Sequence, residues 1–337
     1  MPPKLINVAV AGLGFMGSTH LRAYQKIPRA RIVAVCDSRR APVRGVLPGV
    51  NGNIQSGGDI RLGARVKVYR DYAALLADDE VDMVDICTPT ELHSAQIMAA
   101  LAAGKHVLCE KPLARSVAEA RKTLRAAAAS DKFLMPAMCM RFWPGWRWLK
   151  QAVTKRTFGA ARALALRRLT ARPAWSNAGT HAGGALLDLH IHDTDFVNFL
   201  FGRPASIFAT GNVDRTGAVD HVFAQYCYPH GPAVQAEGSW LWPDGFNMSF
   251  TLHCARAMID FDLARGAAAL RLHEAGKKMR TIKLNGPDGY QAEIAYFVDC
   301  VARGRRPSVV TALDGLTALE ICAAEEKSVR TGAAVKL

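Results

Sequence analysis

The chain has 337 residues, half of them hydrophobic and 21% charged, which excludes a disordered, collagenous or coiled-coil protein. At roughly 100–200 residues per domain, this length predicts two domains with cores of their own. The 43 Lys and Arg against 29 Asp and Glu leave a net charge of +14, which raises nucleic acid, an anionic surface or an acidic substrate as partners.

The distribution of charge narrows those options. The excess is +7 in residues 1–133 and +7 in 134–337, with no basic tail or long basic run, so neither nucleic acid nor membrane is the expected partner. Residues 132–187 contain no Asp or Glu but ten cations, among them Arg141, Arg167, Arg168 and Arg172. That stretch is read either as a solvated face or as a positive wall beside an anion-binding cleft. No run of about 18 apolar residues is present, and the start lacks a signal-peptide pattern. Eight scattered cysteines without Cys-x-x-Cys spacing fit reduced thiols, so a cytoplasmic protein is expected.

In chain order, Ile6-Asn7-Val8-Ala9-Val10-Ala11 is a β-prone run ending at glycines. A helix is predicted over about 16–26 and a second strand over 32–36, closed by Asp37. Residues 41–65 carry eight Gly and Pro and read as an inserted loop, either a lid or a surface excursion. Strands follow over 81–87 and 106–109, with a helix over 94–103 between them, closed by Gly104. This alternation predicts a doubly wound parallel sheet, a Rossmann domain over 1–132. Beyond it, 188–201 looks helical. Residues 246–254 and 257–263 alternate apolar and polar with period two, as antiparallel strands with one buried face do. Helices near 290–303 and 312–330 complete an α/β second domain, 133–337, with a large open, mainly antiparallel sheet.

The first chemistry lies in Gly12-Leu13-Gly14-Phe15-Met16-Gly17, a G-x-G-x-x-G between a strand and a helix. Its glycines permit a tight turn, close approach of a pyrophosphate and helix–strand packing. Asp37, twenty residues after Gly17, is placed to bond ribose hydroxyls. Gly12, Gly14, Phe15, Met16, Gly17, Asp37, Ser38 and Arg39 are therefore candidate cofactor contacts. Asp37 favours NAD, because a carboxylate repels a 2′-phosphate. Arg39 and Arg40 leave NADP or dual use open. Thr88, Pro89, His93, Glu110 and Lys111 follow predicted parallel strands, where ligands bind in such sheets. In Gly183–His192, Asp188 and His192 are i and i+4 on one helical face, a pairing suited to acid/base work. No metal-ligand spacing stands out, and none is expected.

Taken in order, the dinucleotide turn with Asp37, Thr88-Pro89 with His93, Glu110-Lys111-Pro112 and Gly-Gly-x-x-x-Asp-x-x-x-His at 183–192 resemble one family over nearly the whole chain. It is the glucose–fructose oxidoreductase / inositol dehydrogenase family (Gfo/Idh/MocA). The resemblance implies NAD(P)-dependent hydride transfer with a secondary alcohol or ketone of a sugar, inositol or sugar-acid-like substrate. It implies Lys111, Asp188 and His192 as the catalytic set, and a homodimer or homotetramer formed through the C-terminal sheet. Arg141, Arg172, Trp175 and His192 are candidate substrate contacts. A redox-assisted glycosidase or epimerase with tightly held NAD, and a non-catalytic NAD(P)-binding sensor, are the alternatives. Two departures from the family pattern are the 41–65 insertion and His190, which stands where a small residue is common.

Overall fold

The structure is a computed structural model, described here for residues 4–50, 52, 57–173, 183–214 and 217–337. The chain forms two compact units. The first comprises residues 1–139 with 288–316, and the second 140–287 with 317–337. This grouping differs from a single cut at residue 132, because a late segment of chain returns to complete the first unit.

In that unit, β1 (Ile6–Ala11), α1 (Phe15–Tyr24) and β2 (Ala30–Cys36) form the first right-handed crossover. A small hairpin, β3 (Val46–Leu47) and β4 (Ile60–Arg61), precedes β5 (Lys67–Tyr69) and α2 (Tyr72–Leu76). Then come β6 (Met83–Ile86), α3 (Thr90–Ala102), β7 (His106–Cys109), α4 (Val117–Ala129) and β8 (Leu134–Pro136). The six strands lie in the order β5-β2-β1-β6-β7-β8, all parallel. Runs such as Val8–Ala11 and Met83–Ile86 are wholly buried, as expected of strands covered on both faces.

The described residues of the 41–65 insertion are held against the first helix of this unit. Leu47 and Ile60 are buried, Gln25 donates to the Arg61 carbonyl at 2.7 Å, and Arg22 donates to the Gly58 carbonyl. Its described parts are a hairpin pinned to α1.

The second unit starts with α5 (Pro144–Thr154) and β9 (Ala161–Ala171). A π-helical turn over Leu186–His190 runs into α6 (Ile191–Phe201). There follow β10 (Ser206–Val213), β11 (Val219–Cys227), β12 (Ala233–Ser239), β13 (Leu241–Cys254), β14 (Ala257–Asp262), β15 (Leu270–Glu274) and β16 (Arg280–Ile282). α7 (Gly289–Ala302) belongs to the first unit, and α8 (Ala312–Thr331) leads to β17 (Val335–Lys336).

Nine strands form the large sheet, in the order β16-β15-β14-β13-β9-β12-β11-β10-β17; the β9–β12 pair is parallel and the other neighbours are antiparallel. One face carries the core. Trp146 of α5 is fully buried, edge-on to Phe250 and Phe261 from the strands and Phe196 from α6. On the sheet, Phe208, Phe223, Gln225, Gln235 and Thr251 line shallow depressions, with Phe208 and Phe223 exposed. All eight cysteines are free thiols. Among the described residues no helix is long and apolar enough to cross a membrane.

Candidate functional site

The dinucleotide turn is built where β1 passes into α1. Gly12 has φ +90°, and a Cβ there would lie 2.5 Å from the Cys87 carbonyl oxygen. A Cβ on Gly17 would meet the Gly12 carbonyl oxygen at 1.8 Å, so only glycine lets the helix close on the turn. Gly14 differs. A Cβ there would meet nothing within 4 Å, and as N-cap of α1 it supplies no side-chain bond to the first-turn N–H groups. Open space beside uncapped donors fits a pyrophosphate. Phe15 and Met16 begin the helix at this opening.

Asp37 is spliced into the same turn. Its Oδ2 accepts the Leu13 N–H at 2.7 Å, and its Oδ1 accepts the Arg39 and Arg40 N–H groups at 2.8 Å. Burial opposes the charge, but these three donors and the Arg40 guanidinium outweigh it and hold the carboxyl below the usual aspartate range. An ionised carboxylate keeps acceptor capacity for ribose hydroxyls. The Arg40 guanidinium is engaged by the Leu13 carbonyl and, at 2.8 Å, by the Pro48 carbonyl. Ser38 and Arg39 are exposed.

Two loops follow at the same ends of the sheet. Pro89 is the N-cap of α3, and Thr88 donates from Oγ1 to Gln96 at 2.5 Å. His93 is buried between the Pro112 carbonyl, 2.8 Å from Nδ1, and the Thr88 carbonyl, 2.9 Å from Nε2. Burial holds its pKa below the ordinary histidine value. His93 thus braces the Thr88 loop against the turn at Lys111-Pro112, a cis peptide. Glu110 turns its carboxylate inward, accepting the Lys111 N–H at 3.0 Å and facing His20 at 3.2 Å. Lys111 is half-buried.

In the second unit, the π-turn and α6 bury most of their residues. Asp193, Thr194 and Asp195 are buried, whereas Asp188 and His192 are partly exposed. The inserted π-turn residue shifts the simple i, i+4 spacing, but both side chains remain on the accessible side.

His190 points the other way. It is fully buried, with Nε2 3.2 Å from the Tyr226 hydroxyl and 3.5 Å from Glu325, and Tyr226 donates to Glu325 at 2.7 Å. Its bulk therefore lies in the core of this unit.

The acid-free stretch is not a bare positive wall. Arg141 makes a buried two-point pair with Asp195 at 2.8 and 2.6 Å, and Arg168 makes one with Asp193 at 2.8 Å on both arms. Arg172 meets Asp214 at 2.9 Å and also Asp220, while Arg167 meets Glu237 at 2.8 Å. Carboxylates distant in sequence supply the balance. Trp175 lies outside the described residues. Sequence reasoning missed His20, Asp85 and Glu293, which are buried in the first unit, and the Arg168–Asp193 pair. A histidine on the apolar face of α1 was the available signal for the first.

A parallel sheet whose glycine turn and strand-end carboxylate fit a dinucleotide defines a dinucleotide-binding protein of the Rossmann class. A family model described as "Oxidoreductase family, NAD-binding Rossmann fold" matches residues 6–138, and the GFO/IDH/MocA C-terminal domain matches residues 146–260. The chain belongs to the Gfo/Idh/MocA family. It is 26% identical to the myo-inositol 2-dehydrogenase of Thermotoga maritima over 98% of both chains. It is 34% identical to the mouse trans-1,2-dihydrobenzene-1,2-diol dehydrogenase, over 49% of this chain and 51% of that one. Among solved structures it resembles a probable dehydrogenase from Thermotoga maritima, with TM-score 0.81, 26% identity and 98% of each chain covered. A levoglucosan dehydrogenase in complex with NADH and L-sorbose shares the fold at TM-score 0.82 and 20% identity, over 99% of each chain.

Proposed function

We propose that this oxidoreductase is NAD-dependent and interconverts a secondary alcohol and a ketone on a neutral polyol, an inositol or a related sugar. The observation that carries the reading is the partial exposure of Asp188 and His192 on a segment whose other acidic residues, Asp193 and Asp195, are buried. The likeness to a myo-inositol 2-dehydrogenase over the full chain supports the substrate class. The carboxylates paired with Arg141, Arg168 and Arg172 favour a neutral substrate over a sugar acid.

The nicotinamide, when bound, supplies the hydride acceptor or donor. The glycine turn holds the pyrophosphate through backbone N–H groups, and the Asp37 carboxylate holds the adenosine ribose. That carboxylate selects NAD by repelling a 2′-phosphate, with Arg40 already engaged by backbone carbonyls. Thr88, Pro89, His93 and Glu110 shape the loops beside it. Lys111 donates a hydrogen bond to the reacting hydroxyl oxygen and stabilises its growing negative charge. His192 takes the hydroxyl proton in the oxidative direction, and Asp188 orients its ring.

Spectrophotometric screening of myo-inositol, aldoses, uronates and sugar phosphates with NAD and NADP tests this. NAD reduction with a neutral polyol is the expected result, and a clear preference for uronates or for NADP defeats the corresponding part. Turnover of a glycoside without added NAD, with cofactor released on denaturation, would replace it with the redox-neutral alternative. The exposed sheet face bearing Phe208 and Phe223 is proposed as the contact with a second copy, and the cytoplasm as the compartment. A monomer in size-exclusion chromatography with light scattering would overturn the first of these.

A further inference from the structure

A dense group of titratable side chains lies within the first unit, apart from the ligand-facing loops. α1 contributes His20 and Tyr24, and β6 contributes Asp85, followed by Cys87. Glu110 follows β7, and α7 contributes Tyr290 and Glu293. His20, Asp85 and Glu293 have no solvent exposure. His20 Nδ1 is 2.8 Å from Asp85 Oδ2, and its Nε2 is 3.2 Å from Glu110 Oε1.

A neutral imidazole carries one N–H; Nδ1 is hydrogen-bonded to Asp85, whereas Nε2 lies 3.2 Å from Glu110 but out of line for a hydrogen bond, so a bare Nε2 would set a lone pair close to a buried carboxylate oxygen. Protons on both nitrogens remove that conflict. One cation then lies between two acidic side chains, which is less costly in the dry interior than two acids facing an uncharged ring. Glu293, with neither oxygen hydrogen-bonded, is the neutral acid beside them. Burial opposes a charged His20, but Asp85 and Cys87 together outweigh it and raise the pKa well above the ordinary value. Burial opposes a charged Glu110 too, and His20 holds that carboxyl below its ordinary value; burial drives Glu293 well above.

The consequence reaches the lysine. Glu110 faces His20 with Oε1 and accepts the Lys111 N–H with Oε2 at 3.0 Å, so one carboxylate joins α1 to the Lys111 turn. We propose that His20, held as an imidazolium between Asp85 and Glu110, is a positioning residue that locks the Lys111 turn to the dinucleotide helix. Its importance for catalysis rests on the reading of Lys111 given above, but its test needs no turnover. The donor atoms of His20, Asp85 and Cys87 also lie within 4.8 Å of one another, which makes zinc the competing occupant.

Ring-nitrogen NMR on the full chain at pH 8, with His20 assigned by His20→Gln or His20→Asn, should show N–H on both nitrogens. A single N–H, or stoichiometric zinc by elemental analysis, overturns the proposal. With 13C-labelled lysine and Lys111 assigned by Lys111→Met, the Lys111 signal should move in His20→Gln and in Glu110→Gln. The double variant should add nothing beyond either single change, because both act through one carboxylate. His230→Gln, at an exposed site, is the control. A Lys111 signal unmoved by His20→Gln, or additive shifts in the double variant, overturns the coupling. NADH affinity by fluorescence should stay within about threefold in His20→Gln, and a larger loss reduces His20 to general support of the fold. Where His20→Gln does not fold, His20→Asn supplies the assignment and the ring signals of the unmodified protein decide. Turnover by Lys111→Met tests the catalytic reading separately.

Discussion

His190 and Gly238 share one space: a Cβ on Gly238 would lie 2.6 Å from the His190 Cβ and 2.8 Å from its Nδ1. The bare backbone of β12 is what accommodates an imidazole on the turn leading into α6. Gly238→Ala forces the ring or the strand to move. Overpacking of this kind costs roughly 1–3 kcal/mol, more than the ~0.4–1 kcal/mol gained from a less flexible unfolded chain. Urea unfolding should show the variant destabilised. Combining it with His190→Gly should cost less than the sum of the two, and strict additivity would deny the shared space.

The catalytic set makes a kinetic prediction. Lys111→Met and His192→Ala should each lower kcat by about 10²-fold or more with the substrate found by screening. NADH binding should survive in both, since neither residue belongs to the glycine turn. Near-normal turnover in either variant removes that residue from the set.

Asp37→Ala removes a charged acceptor for the ribose. Hydrogen bonds to charged groups contribute ~1.5–3 kcal/mol, so the Kd for NAD should rise about tenfold or more. The Kd for NADP should rise less, because repulsion of the 2′-phosphate disappears with the carboxylate. Isothermal titration with both nucleotides measures this, and an unchanged ratio of the two affinities would exclude Asp37 as the selector.

Glu293 makes wild-type stability fall as pH rises. Its carboxyl is held neutral in the folded chain, well above its ordinary pKa, but ionises in the unfolded chain above about pH 4.5. The native state then holds the extra proton, and stability declines by up to ~1.4 kcal/mol per pH unit until the folded group ionises. Glu293→Gln abolishes that slope. Denaturation at pH 5 and pH 8 should find the variant similar to wild type at the lower pH and more stable at the higher. Equal pH dependence in the two proteins would mean that Glu293 is already ionised.

Much of this architecture was legible in local pattern. His106–Cys109 is a strand with the expected bounds, and the alternation over 246–263 became β13 and β14. α3 begins at Thr90 instead of near residue 94, because Pro89 occupies its N-cap and its first turn carries Thr90, Glu91 and His93 in place of an apolar stripe. β9 was hidden because its alternation includes Arg168, a cation buried through Asp193, so composition masked periodicity. The parallel β9–β12 pairing could not be read, since alternation carries no strand direction.

The site divided along the same line. Gly12, Gly14, Gly17 and Asp37 sit within a short span whose spacing carries the geometry. The contacts of His20 with Asp85 and Glu110 join residues 65 and 90 positions apart, and no local period encodes them. His190 illustrates the limit most clearly. Helical spacing turns it away from Asp188 and His192, but the groups that receive it, Tyr226 and Glu325, lie far along the chain and no local pattern names them.

The return of α7 to the first unit sets an order for biosynthesis. Ile294, Phe297 and Val298, all inaccessible to solvent, belong to a segment that leaves the ribosome only after the second unit's strands through β16. The nucleotide-binding half, though encoded first, therefore waits for nearly the entire chain before its hydrophobic surface is covered. An excised fragment of residues 1–139 would lack that cover, and the nascent chain must carry the exposed surface through most of translation.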